Sequence, residues 1–111
     1  LVKHGRSLKN QVYPVPAAKL RQEFLAVAIA QPRVSHTFAD EAGLYDDFVA
    51  RSALFGFPDH VSVKFVNVKG GKSTLAVYSR SIYGRSDLGV NRARVSAWLG
   101  LVNGAIKPQS P

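Results

Sequence analysis

A predicted β-hairpin near the middle of the chain limits the fold more than any other feature. Residues 61–68 place an apolar side chain at every second position from Val61 to Phe65, which predicts a strand with one apolar face. The run Lys-Gly-Gly-Lys at 69–72 follows, and two adjacent glycines permit positive φ in a tight turn. Residues 74–81 then return as a partner strand rich in β-forming residues. Strands joined by so short a turn must be antiparallel.

Two helices are predicted outside this hairpin. Pro16 can occupy a first helical turn, and Leu20, Phe24 and Val27 recur at helical spacing, which predicts a helix to about residue 30. The second helix should begin at Ser86 or Asp87 and run to about Val102. Its apolar stripe is formed by Val95, Trp98, Leu99 and Val102.

Two shorter strands are predicted between the first helix and the hairpin. One covers residues 33–38, with Val34, His36 and Phe38 on one face. The other covers residues 45–52, where Phe48 and Ala50 alternate with polar positions. The predicted order is therefore one helix, about four strands and one helix.

The sequence predicts a single α+β domain of two layers, with a mostly antiparallel sheet of about four strands and both helices on one face. Its predicted limits are residues 16–104, after an extended basic arm or linker at 1–15 and before a C-terminal tail at 105–111. The predicted core contains Leu20, Phe24, Val27, Val63, Phe65, Leu75, Val77, Val95, Trp98 and Leu99.

The charge of the chain favours an anionic partner. The net charge is +8, and five of the seven acidic residues lie between residues 40 and 59. A small basic protein with such a layout is drawn to lipid headgroups, nucleic acid or acidic proteins, although the same charge can serve solubility alone. The absence of cysteine excludes disulfides and thiolate metal sites, and the three histidines match no local ligand pattern. We therefore expect no metal and no cofactor.

The segment from Tyr78 to Arg94 contains the candidate site. It is a basic, hydroxyl-rich loop that leads into a helix N-terminus, where free N–H groups and the helix dipole attract anions. The candidates for binding an anion or a partner are Arg80, Arg85, Ser86, Arg92 and Arg94.

A structural role for the same segment stays open. In that interpretation Arg51 and Arg80 hold Asp59 and Asp87 in a network that fixes the corner between strand, loop and helix. Asn91 would hydrogen-bond at the same corner. Asp87 is interpreted as a helix cap rather than a general base.

Two aromatic features carry further hypotheses. The apolar turn Leu54-Phe55-Gly56-Phe57 is expected to close one end of the core, and would be a docking patch if it were exposed. Tyr78 and Tyr83 lie beside arginines and could stack nucleic-acid bases. Tyrosines on strands usually pack inward, so nucleic-acid binding is not expected.

The run from Ser79 to Arg94, SRSIYGRSDLGVNRAR, resembles the signature of a bacterial and plastid family of unknown function, DUF1499. The turn at 51–59, RSALFGFPD, resembles a second shared element. The resemblance spans roughly residues 13–102. It implies an N-terminal anchor or signal followed by this domain outside the inner membrane. No catalytic residues are established for the family, so the resemblance assigns none to this chain. His60 stands where many relatives have a second acid.

These observations together predict a non-enzymatic accessory or binding domain of the bacterial cell envelope. A small subunit of a membrane complex is one form that such a domain would take. Its basic loop–helix corner would bind an anionic membrane surface or an acidic protein. The alternative is an enzyme or small-ligand carrier that holds a phosphate or carboxylate at the same corner. The expected location is the periplasm or the outer side of the inner membrane, with a tether upstream of Leu1.

Overall fold

The computed structural model describes residues 2–3, 11–53, 56–81 and 88–108, with the backbone alone at 2–3, 81 and 88–92. The elements, in chain order, are β1 (Val2–Lys3), α1 (Ala17–Ile29), β2 (Val34–Asp40), β3 (Tyr45–Arg51), β4 (Pro58–Val68), β5 (Lys72–Ser81) and α2 (Leu88–Ala105).

The strands form one sheet in the order β1-β5-β4-β3-β2. Strands β2 to β5 are antiparallel to their neighbours, and the two-residue β1 pairs with β5 in parallel. The predicted hairpin is confirmed, because Val68 pairs with Lys72 and both Gly70 and Gly71 have positive φ, at 80° and 72°. The predicted α+β class with a mostly antiparallel sheet is therefore confirmed.

Both helices pack on the same face of the sheet, which we call the inner face. Phe24 of α1 lies at the centre, with its ring centroid 5.9 Å from that of Phe48, 5.7 Å from Phe65 and 6.0 Å from Trp98. Eight of the ten predicted core residues are buried, and the other two, Val27 and Leu99, are partly buried against them. The apolar stripes read from the sequence therefore identify the faces that pack.

The packed domain extends beyond the predicted limits of residues 16–104. Tyr13 is only 1% exposed, and its backbone exchanges two hydrogen bonds with Ser73, at N–O distances of 2.7 and 3.0 Å. Its hydroxyl donates to Asn103 Oδ1 at 2.6 Å. Ile106, beyond α2, is also buried. Residues 11–15, predicted as part of an arm, thus lie against the core.

Strand β2 departs from the prediction that Val34, His36 and Phe38 share one face. A bulge lies between His36 and Phe38: His36 pairs with Phe48, whereas Phe38 pairs with Asp47. The extra residue turns the following side chains to the opposite face. His36 stays on the inner side and stacks on Phe48 at 4.9 Å, while Phe38 is 53% exposed.

A buried carboxylate ties α1 to the sheet. Asp46 is fully buried, and Arg21 of α1 donates to both of its oxygens, from Nε at 2.7 Å and from Nη2 at 2.9 Å. His36 Nε2 lies 2.8 Å from Asp46 Oδ1. The hydrogen bonds to Asp46 raise the pKa of Arg21 above its ordinary value. A buried carboxylate is tolerated where cations and hydrogen bonds compensate its lost hydration, and here they do.

Candidate functional site

The structure describes the side chains of two of the five predicted site residues, Arg80 and Arg94, and places them on opposite sides of the sheet. Arg85, Ser86 and Asp87 lie outside the described residues, and Arg92 and Asn91 lie in α2 with only their backbone described. Arg80 pairs across the sheet with His60 and faces away from the helices. Arg94 lies on α2, on the inner side. Arg80 and Arg94 therefore do not converge on one anionic group.

Arg94 forms an ion pair with Asp59. The distance from Nη1 to Oδ2 is 2.9 Å, and each side chain is 15% exposed. Asp59 and Val61 are two positions apart on β4, so their side chains lie on the same face of the sheet. The side chain of Asp59 therefore points towards α2.

The network in which Arg51 and Arg80 hold Asp59 is not the arrangement in the described part of the chain. Arg51 Nη1 donates to the carbonyl of Gly56 at 2.9 Å, and Arg80 Nη2 lies 3.3 Å from His60 Nδ1. Strand parity explains the difference, since Arg80 lies opposite His60 and not opposite Asp59.

A cleft of 260 Å³ opens beside the Arg94–Asp59 pair. It lies between the turn after α1, the end of β3 and the middle of α2. Its described lining is Gln31, Pro32, Arg33, Val34, Ala50, Arg51, Ser52, Ala53, Arg94 and Trp98. We call it the arginine cleft, after Arg33, Arg51 and Arg94. Asp59 compensates Arg94, and the remaining two cations give the cavity an excess of positive charge, which attracts anions.

Arg33 was not among the predicted site residues. Its φ is +61°, a left-handed conformation that costs a non-glycine residue of order 1–2 kcal/mol. The conformation places its carbonyl where the N–H of Arg51 donates to it at 3.0 Å. This contact continues the antiparallel pairing of β2 with β3 by one residue, because Val34 pairs with Ala50. What the sequence does not show is that α2 brings Arg94 to the same place.

The turn between β3 and β4 forms one border of this region. The N–H of Ser52 donates to the carbonyl of Phe57 at 3.0 Å, and the N–H of Gly56 donates to the carbonyl of Ser52 at 3.1 Å. Leu54 and Phe55 lie outside the described residues. Phe57 is 55% exposed and does not close the core. Its exposure fits the hypothesis of a docking patch better than the expectation that this turn closes the core.

The opposite face of the sheet, the outer face, carries a second concavity, of 370 Å³. Tyr45, Asp47, His60, Ser62, Lys64, Ala76, Val77, Tyr78 and Arg80 line it. Tyr78 is 44% exposed rather than packed inward, and the guanidinium carbon of Arg80 lies 5.1 Å from its ring centroid. We call this region the outer-face concavity.

The described residues contain no helix long and apolar enough to cross a membrane. Within the same ranges, no three histidine, aspartate or glutamate side chains gather in a way that could hold a metal ion.

Comparison with family models identifies a family that covers most of the chain. The family described as "Protein of unknown function (DUF1499)" matches residues 5–101, which is most of the chain. No curated protein and no solved structure matches this chain.

Proposed function

We propose that this chain, which belongs to the DUF1499 family of proteins of unknown function, binds anions in its arginine cleft. The domain is a non-enzymatic accessory module of the bacterial cell envelope that binds an anionic surface through Arg33 and Arg51, beside the ion pair of Arg94 with Asp59. Its place is the outer side of the inner membrane, as a tethered domain or a small subunit of a membrane complex.

The observation that carries this proposal is the excess of cations around one cleft. Arg94 is held by Asp59, but Arg33 and Arg51 form no ion pair with a carboxylate of any described residue. No described carboxylate neutralises either charge, although Arg51 Nη1 already donates to the carbonyl of Gly56. Guanidinium groups bind phosphate or carboxylate with two parallel hydrogen bonds. An anionic headgroup fits this chemistry.

The composition of the cleft supports binding rather than catalysis. Proton transfer in catalysis relies mostly on histidine, aspartate or glutamate side chains. The described lining contains arginine, serine, glutamine and apolar residues, with Asp59 engaged by Arg94 nearby. The family resemblance and the net charge of +8 support a place at a membrane surface.

The size of the cleft favours a second candidate. A volume of 260 Å³ admits a small anion, so a carrier for a soluble phosphate or carboxylate would use the same residues. The two candidates differ in whether the anion is free or is displayed on a surface.

The replacement Arg33→Gly tests the proposal. Glycine adopts a φ of +61° without strain, so thermal stability should be unchanged or higher. Affinity for vesicles of an anionic lipid should fall about fivefold, since one basic residue near such a surface contributes about 1 kcal/mol.

The matched control is Lys69→Gln, which removes one positive charge from the turn between β4 and β5, and should change affinity less. Equal losses for the two variants, or none for Arg33→Gly, would contradict the proposal. Inorganic phosphate provides a further test. If phosphate releases the protein from the vesicles and a chloride salt of the same ionic strength does not, the small-anion carrier is favoured.

A further inference from the structure

We propose that Arg33 and Arg51 hold one phosphate monoester between them in the arginine cleft, a ligand that carries two negative charges on a single group. This inference rests on the proposed function and names the chemistry of its ligand. A phosphate monoester reaches the cleft either as a lipid headgroup or as a small soluble phosphate, and the recognition is the same in both cases.

The two arginines lie opposite each other across a pair of strands. The N–H of Arg51 donates to the carbonyl of Arg33 at 3.0 Å, one position beyond the pairing of Val34 with Ala50. Residues opposed in this way have Cα atoms roughly 5.5 Å apart. Both side chains line the arginine cleft, so both guanidinium groups can reach one small group bound there.

This arrangement places two like charges together without a counter-charge. Like charges at directly opposed positions of a sheet repel each other, and no described carboxylate forms an ion pair with Arg33 or Arg51. Arg33 also has a left-handed backbone, with a φ of +61°. Strained residues of this kind are concentrated at sites that bind ligands. An anion that contacts both guanidinium groups replaces their repulsion with attraction to a shared partner.

The neighbouring ion pair determines how much positive charge is left for a ligand. Asp59 compensates Arg94, with Oδ2 of the one 2.9 Å from Nη1 of the other. Arg33 and Arg51 leave two positive charges, and a phosphate monoester carries about −1.5 to −2 at pH 7. A phosphodiester or a carboxylate carries a single negative charge, and a dicarboxylate divides its charge between separate groups. The charge balance at two adjacent arginines therefore favours the monoester.

The donors of the cleft also match a monoester. A guanidinium group presents two parallel N–H groups to a phosphate, and a monoester offers three acceptor oxygens to share between two such groups. Arg51 Nη1 donates to the carbonyl of Gly56 at 2.9 Å, which holds this side chain in place, and other N–H groups of its guanidinium remain. Val34, Ala50 and Trp98 line the cleft with apolar surface, which reduces the screening of these charges by water.

Vesicles that differ only in the anionic headgroup test this inference. One set contains phosphatidate, a phosphate monoester, and the other contains phosphatidylglycerol, a phosphodiester, each in phosphatidylcholine and adjusted to the same zeta potential. We expect about tenfold tighter binding to phosphatidate, because one additional hydrogen bond between charged groups forms. Equal surface potentials remove the general attraction of a basic protein from the comparison.

Three variants locate the preference. Arg33→Gly should abolish it, because a single guanidinium group binds either headgroup with the same two hydrogen bonds. Arg51→Gln should do the same, and thermal melts establish that the turn at Gly56 still folds without the hydrogen bond from Arg51. Lys69→Gln removes a charge from the turn between β4 and β5 and should leave the ratio of the two affinities unchanged.

Titration with glycerol 3-phosphate, followed by amide chemical shifts, identifies the source of the monoester. Shifts at the residues of the arginine cleft, together with release of the protein from phosphatidate vesicles, indicate a soluble phosphate. No shifts at the same concentrations, with the preference for phosphatidate retained, indicate a lipid headgroup. Either result supports recognition of a monoester.

Equal affinity for the two lipids would overturn this inference and leave the proposed function standing. A preference for phosphatidate that survives both Arg33→Gly and Arg51→Gln would also overturn it, because the monoester would then bind elsewhere. If neither lipid binds, the proposed function fails as well, so the two proposals can be told apart.

Discussion

At the scale of single residues, Trp98 connects three elements of the core. It lies on α2, is 3% exposed, and its ring centroid is 6.0 Å from those of Phe24 on α1 and Phe48 on β3. Trp98→Ala should lower the free energy of unfolding by roughly 3–5 kcal/mol, the range for truncating a large buried aromatic side chain. Denaturant melts measure the loss, and a value under about 1 kcal/mol would show that the ring is not buried in solution.

Tyr13 should titrate late. Burial raises the pKa of its hydroxyl from 10.0 to about 12, because the charged phenolate would lose hydration. A raised pKa means that the neutral form stabilises the fold. This contribution is complete below pH 10 and is lost as the pH rises from 10 through about 12.

Tyr13→Phe isolates that contribution. The variant loses the hydrogen bond to Asn103, at a cost of about 1 kcal/mol at neutral pH. Between pH 10 and about 12 its stability should fall less than that of the parent protein. Parallel pH profiles for the two proteins, measured by denaturant melts, would show that Tyr13 ionises normally.

Some residue roles were predictable from the sequence and others were not. Phe24 and Trp98 recur at helical spacing with their neighbours, so local periodicity identifies them as core. The burial of Asp46 depends on Arg21, which is 25 positions away and on another element. Arg33 and Arg51 meet where the pairing of β2 with β3 continues by one residue, but Arg94 reaches the same cleft only through the packing of α2. Such pairings arise from the packing of elements and leave no local pattern.

At the scale of elements, the β4–β5 hairpin and α2 give opposite expectations for the same change. Gly71 has a φ of +72°, and an added Cβ would meet nothing within 4 Å. Gly71→Ala should therefore destabilise by backbone strain alone, about 1–2 kcal/mol. Gly100 lies inside α2, where an added Cβ also meets nothing within 4 Å, so Gly100→Ala should stabilise by roughly 0.5–1 kcal/mol. Thermal melts with the same sign for both variants would contradict the hairpin geometry or the helix.

Most elements could be predicted because the residues of each follow a local pattern of apolar spacing or turn composition. The bulge in β2 and the buried segment at 11–15 do not follow such a pattern. The Gly-Gly turn and the two apolar stripes were predicted correctly. The bulge in β2 was missed because one inserted residue, between His36 and Phe38, reverses the faces without changing the composition of the strand. Residues 11–15 lack periodicity, but Tyr13 is buried because Ser73 offers it backbone hydrogen bonds from a distant strand.

At the scale of the whole molecule, charge and shape divide the surface into two concavities that the sequence did not separate. The sequence placed Arg80 and Arg94 in one basic segment. The alternation of β5 and the ion pair of Arg94 with Asp59 send them to opposite faces of the sheet. The inner side then carries the arginine cleft, and the outer face carries the outer-face concavity, which Arg80 lines. Proximity in the sequence was therefore a poor guide to convergence, because a strand reverses its side chains at every residue.

The net charge of +8 gives the last prediction, which concerns the molecule as a whole. Cosedimentation with anionic vesicles should be strong at low ionic strength and should fall steeply towards 0.1 M salt, where the screening length is about 10 Å. Neutral vesicles should bind little at any salt concentration, because the proposed attraction comes from the cations of the arginine cleft and the basic surface around it. Equal binding to neutral and anionic vesicles at low salt would exclude this electrostatic mechanism. It would instead point to the exposed apolar residues, among which Ile29, Phe57, Phe38 and Leu101 are the most accessible test positions.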